Sequence, residues 1–84
     1  MSYFLRILPL AEKQLSRLNS PLYQSVKRKI SSLGDNPRPP GCRKLKGYEA
    51  WRIRAGDYRI VYEIDDGGRI VTVLKVAHRS IVYE

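Results

Sequence analysis

The feature that most constrains this chain is a change of hydrophobic period across a proline-rich break. Upstream of residues 35–41 (DNPRPPG), apolar residues recur at helical spacing. Ala11, Leu15 and Leu18 form one stripe, and Leu22, Val26, Ile30 and Leu33 form another. Downstream the period is two: Trp51, Ile53 and Ala55 alternate with Arg52 and Arg54, and Tyr58, Ile60, Tyr62 and Ile64 alternate with Arg59, Val61 and Glu63. Side chains share a face every 3.6 residues in a helix and every second residue in a strand, so the chain must pass from a helical half to a sheet half. Pro37, Pro39 and Pro40 in the break cannot continue a helix.

Turn and cap residues divide the two halves further. Residues 3–8 (YFLRIL) read as a short first strand ended by Pro9. Ser20 is placed as the N-cap of the second helix, with Pro21 at its first position and Gly34 at its end. Gly56-Asp57 marks a turn, and residues 65–68 (DDGG) mark a hairpin. The segment from Ile70 to about Ala77 is rich in β-branched residues and apolar on both faces, as in a central strand. The expected fold is α+β in the order β-α-α-β-β-β, with two helices on one face of an antiparallel sheet. A length of 84 residues suits a single domain spanning 1–84.

That arrangement leaves the second sheet face open, and its residues are basic. Arg38, Arg43, Lys44, Lys46, Arg52, Arg54 and Arg59 are opposed over the same stretch only by Glu49 and Asp57. Over the whole chain 16 Lys and Arg face 8 Asp and Glu, a net charge of +8, which favours nucleic acid or another polyanion as partner. Alternation puts Arg52 and Arg54 on one face, whereas the side taken by Arg59 depends on strand register. Arginine offers a planar fork matched to phosphate oxygens. Charged strands also serve simply to keep sheet edges soluble.

Other classes are disfavoured. No apolar run approaches the roughly 20 residues of a membrane span. The start carries Arg6 and Pro9 and lacks a secretory apolar stretch. Cys42 is the only cysteine, which suits a reducing cytoplasm, and with His78 the only histidine the chain lacks the ligands of an ordinary zinc site. No cofactor or metal is expected. There is no Ser-His-Asp set, suggestive carboxylate pair or glycine-rich phosphate loop. From the residues alone the reading is a basic α+β domain that binds nucleic acid.

Residues 44–83 carry a resemblance that goes further. The pieces Lys44-Leu45-Lys46-Gly47, Trp51-Arg52-Ile53-Arg54, Asp57-Tyr58-Arg59-Ile60-Val61-Tyr62, Val76-Ala77-His78-Arg79 and Val82-Tyr83 resemble, in order and spacing, the RelE branch of the RelE/ParE toxin superfamily. The N-terminal half agrees in layout. The resemblance implies a fold like that of microbial ribonucleases. It also implies an mRNA interferase, the toxin of a type II toxin–antitoxin system, that cuts translated mRNA in the ribosomal A site without a metal. Carried over by motif, Arg59, Arg79, Tyr83 and His78 are catalytic candidates, His78 standing where the family commonly has a basic residue or His. Arg52, Arg54, Lys44 and Lys46 are candidates for binding RNA phosphates.

The implied chemistry suits these residue types. The 2′-hydroxyl must be deprotonated, a doubly charged phosphorane stabilised and the leaving 5′-oxygen protonated. Arginine suits the middle task, in which one preorganised donor is worth about 10²–10³ in rate. Tyr83 acts as base once cations such as Arg59 and Arg79 lower its pKa from about 10. Arginine stands at 52 and 54 where some members have lysine. It holds its proton too firmly for acid–base work, so Arg52 and Arg54 suit binding and charge stabilisation; the resemblance offers His78 or Arg79 for the leaving-group side. The resemblance further implies an antitoxin with an acidic toxin-binding segment, and mRNA and the ribosome as partners. The alternatives are the ParE branch, which acts on DNA gyrase, and an RNA-binding module without catalysis.

Overall fold

The computed structural model describes residues 2–80. The elements run β1 (Phe4–Ile7), α1 (Pro9–Ser16), α2 (Ser20–Leu33), β2 (Arg43–Lys44), β3 (Trp51–Ala55), β4 (Tyr58–Asp65) and β5 (Ile70–His78). Both helices pack on one face of a single sheet of order β1-β5-β4-β3-β2. The α+β class and the helix–sheet layering are as expected.

Three local features differ from the sequence reading. The sheet is mixed: β1 runs parallel to β5, with Phe4 opposite Ile70 and Ile7 opposite Val73, while the other pairs are antiparallel. The long connection between this parallel pair runs first through the two helices to β2 at the far edge, and the antiparallel strands β2, β3 and β4 then lead the chain back to β5 beside β1. An extra strand, β2, lies at the far edge and is only two residues long. The second helix is capped by Asn19, whose Oδ1 accepts the Leu22 N–H at 3.2 Å, and Ser20 is already helical. Pro9 opens α1, where its missing N–H would have had no intrahelical partner.

The core lies between the helices and one sheet face. Ala11 and Leu15 of α1 and Val26, Ile30 and Leu33 of α2 meet Ile53, Ile60, Tyr62, Val71, Val73 and Val76. Gly34 has ordinary helical φ, so close approach rather than backbone freedom selects glycine there. A Cβ would stand 3.3 Å from the Tyr3 carbonyl, and the Tyr3 N–H donates to the Gly34 carbonyl. Where β5 outruns β1, Gln14 of α1 takes over the pairing: its Oε1 accepts the Val76 N–H at 2.6 Å.

Residues 35–42 cross from the helix layer to the opposite sheet edge and are fastened at two points. The buried Tyr62 hydroxyl donates to the Pro37 carbonyl at 2.7 Å. Burial above all, and then the neighbouring Cys42, push the Tyr62 phenol above its usual pKa, which keeps the donor proton in place. The Arg38 guanidinium lies 5.1 Å from the centre of the Trp51 ring and donates to both Asp66 carboxylate oxygens, at 2.8 and 3.2 Å.

Candidate functional site

The strand register decides what the open sheet face carries. Arg54 lies directly opposite Arg59, and Arg43 directly opposite Arg52. Opposed residues of an antiparallel pair share a face, so four arginines from three strands converge on the side away from the helices. With Gly41 they line a cleft of about 300 Å³. Arg54 and Arg43 are exposed, whereas Arg52 and Arg59 are half-buried. The register also settles the side of Arg59, which alternation alone left open.

Local structure holds this cleft in shape. Gly56 and Asp57 form a two-residue connection between Ala55 and Tyr58, with Gly56 at φ 62°, so β3 and β4 pair up to their ends. Gly41 adopts φ 91°, a conformation that side chains resist, and brings the pinned loop into the cleft wall. Directly opposed like charges oppose folding, so two arginine–arginine pairs side by side suit a polyanion better than they suit the isolated domain.

The remaining site candidates fall in different places. Arg79 follows β5, and its N–H donates to the Asp57 carbonyl at 2.8 Å, extending the ladder by one step beside the β3–β4 turn. Its Nε stands 3.8 Å from Asp57 Oδ1 in an exposed contact of little stabilising value. Arg79 flanks the cleft without lining it. His78 is not brought to the arginines. It pairs with Tyr58 on the helix side, ring centres 5.4 Å apart and edge to face, and its Nδ1 accepts the Ser80 N–H at 3.3 Å. Lys44 lies opposite Trp51, with Nζ 3.4 Å from Glu49, and Lys46 is exposed in the β2–β3 loop, so neither lines the cleft. Tyr83 lies outside the described residues. Arg43 belongs to the cleft and was counted in the sequence only as part of a basic stretch. A two-residue strand gives no periodicity that could have placed it.

Among the described residues, no three His, Cys, Asp or Glu side chains come together as a metal would require. No helix there is long and apolar enough to cross a membrane.

A family model described as the ParE toxin of a type II toxin–antitoxin system, parDE, matches residues 5–83. The chain belongs to the RelE/ParE toxin family. Among relatives of this RelE/ParE-family chain, the mRNA interferase toxin RelE of Escherichia coli strain K12 is 30% identical over 88 residues, covering 95% of this chain and 86% of the relative. Toxin RelE of Mycobacterium tuberculosis H37Rv is 34% identical over 85 residues, covering 96% and 86%. The toxin–antitoxin complex RelBE2 of Mycobacterium tuberculosis contains a chain with the same fold, at TM-score 0.84 and 27% identity, with 94% of this chain and all of that one aligned (100%).

Proposed function

We propose that this RelE/ParE-family toxin is an endoribonuclease that cuts translated mRNA. The observation that carries the reading is the convergence of Arg43, Arg52, Arg54 and Arg59 on one cleft of the open sheet face. The name mRNA interferase borne by the Escherichia coli relative supports it.

In this reading the scissile phosphate sits among the arginines. A base removes the 2′-hydroxyl proton, the 2′-oxygen bonds to phosphorus, and the P–O5′ bond breaks. The departing 5′-oxygen takes up a proton, leaving a 2′,3′-cyclic phosphate and a 5′-hydroxyl. No metal is needed for this route. Arg59 and its neighbours meet the charge that develops on the phosphorane oxygens, a task for fixed donors in a partly desolvated cleft. Tyr83 is assigned the base role, and Arg79, at the rim of the cleft, meets the charge on the departing 5′-oxygen while water supplies its proton. His78 takes no part, since it lies across the sheet. The ribosome supplies the aligned mRNA, which places the reaction in the cytoplasm.

The partner in the cell is an antitoxin whose acidic segment covers the arginine cleft, as charge complementarity favours. Mapping of mRNA 5′ ends by primer extension in a translating extract tests the activity. The expected result is new cuts inside translated codons that are lost in Arg79→Ala and Tyr83→Phe. Cuts that persist in both variants would retain the nuclease and discard these two assignments. No cuts from folded protein would discard the nuclease, and inhibition of DNA supercoiling would then identify a gyrase inhibitor.

A further inference from the structure

A second depression of about 420 Å³ lies on the same sheet face as the arginine cleft. Its floor is the small apolar cluster of Leu45, Ala50, Val61 and Leu74. Val61 is directly opposite Arg52 and two residues along β4 from Arg59. Same-face neighbours on a strand are about 7 Å apart, so the groove begins one such step from the cleft. We propose that the groove holds the base of a nucleotide whose phosphate lies among the arginines, and that it favours bases with an exocyclic amine (adenine, cytosine and guanine) over uracil. The inference rests on the RNA reading above and names the part of the substrate that the arginines cannot distinguish.

Three features of the groove suit a base. Tyr48, on its rim, is 64% exposed and offers an aromatic face for stacking. Glu63 follows Val61 on the same face of β4 and accepts hydrogen bonds from an amine. A register shift between β4 and β5 makes Val61 pair with Lys75 and Tyr62 with Val73. The extra residue, Leu74, and its neighbour Lys75 therefore both line the groove instead of alternating. Lys75 supplies a donor for the ring nitrogen or carbonyl beside the amine. Glu49 is engaged by Lys44, which leaves the reading of the amine to Glu63.

The rim also argues against the other natural occupant, an apolar segment of an acidic protein. Glu49 and Glu63 are two of only 8 acidic residues in a chain of net charge +8, and both stand at this groove. Set against Lys44 and Lys75, they leave the groove without the net positive charge of the arginine cleft. An acidic segment and the RNA phosphates are therefore drawn to the cleft, while the uncharged base enters the groove.

The test is a ¹⁵N–¹H NMR titration of the intact chain with the 3′-monophosphates of adenosine, cytidine and uridine, and with ribose 5-phosphate. Adenosine and cytidine monophosphates are expected to shift Tyr48, Val61, Glu63 and Lys75 along with the arginine strands. Ribose phosphate should shift the arginine strands alone. Uridine monophosphate should bind about ten-fold more weakly than the other two nucleotides. Glu63→Ala should abolish that preference, and Tyr48→Ala should weaken all three nucleotides by roughly ten-fold. Nucleotides that shift the arginine strands and leave the groove unmoved overturn the inference alone, and give the groove to a protein partner. If neither region responds to any nucleotide, the inference and the RNA reading fall together.

Discussion

The hydroxyl of Tyr62 should hold the wall of the arginine cleft, and Tyr62→Phe isolates that contribution. The side chain is fully buried, and its hydroxyl donates to the carbonyl of buried Pro37 at 2.7 Å. Phenylalanine keeps the ring against the core and removes only the donor. The Pro37 carbonyl is then left without its partner in a place that water does not readily reach, at a cost of about 1–3 kcal/mol. For a domain of this size each kcal/mol lowers the melting midpoint by roughly 4–8 °C, so a fall of about 5–20 °C is expected. Thermal unfolding followed by circular dichroism measures the loss, with Tyr48→Phe as the exposed control that should leave the midpoint unchanged. Amide exchange should quicken in residues 36–42 before it quickens in β4, because this bond fastens the loop to the sheet. A Tyr62→Phe midpoint equal to that of the wild type would refute the reasoning.

The remaining predictions concern the cleft and its supports. Arg54→Gln removes one of two directly opposed arginine pairs and should raise stability by about 0.2–1 kcal/mol at low salt; in 1 M salt, where screening acts within about 3 Å, thermal melts should show no gain. Gly41→Ala meets no atom within 4 Å but must hold φ 91°, so urea unfolding should show a loss of roughly 1–2 kcal/mol from backbone strain alone. The Asp66 carboxyl is held down to about 2 by hydrogen bonds from Arg38 and then Tyr3. A depressed acid stabilises the fold above its unfolded pKa of about 3.9 and loses that effect as pH falls toward 2; Asp66→Asn should flatten the pH dependence of the melting midpoint in that window.

Much of this was legible in the sequence, and the gaps have physical causes. Period and punctuation located both helices and the three longer strands, because each buries one face over at least two turns or five residues. The shared face of Arg52 and Arg54 follows from alternation within one strand. That Arg59 joins them required the β3–β4 register, which the short Gly56-Asp57 turn fixes and alternation alone does not. The same register, carried across to β5, turns His78 to the helix side, although its neighbour in the family motif, Arg79, stays beside the cleft. Arg43 was hidden by the shortness of β2. The parallel pairing of β1 was hidden because its partner, β5, is more than 60 residues away, with Phe4 opposite Ile70. The cap of α2 was displaced by one residue because Asn19 and Ser20 are both good N-caps, and only geometry shows which side chain reaches the Leu22 N–H.

The central claim is that the opposed arginines act on the scissile phosphate and do more than supply general positive charge. Single-turnover cleavage of a translated mRNA by Arg59→Ala and by Arg28→Ala tests it most directly. Both variants lose one charge, but Arg59 lines the cleft and Arg28 is exposed on α2. The account predicts a loss of about 10²–10³ in the rate for Arg59→Ala and a change of no more than a few-fold for Arg28→Ala. Equal losses in the two variants would contradict it.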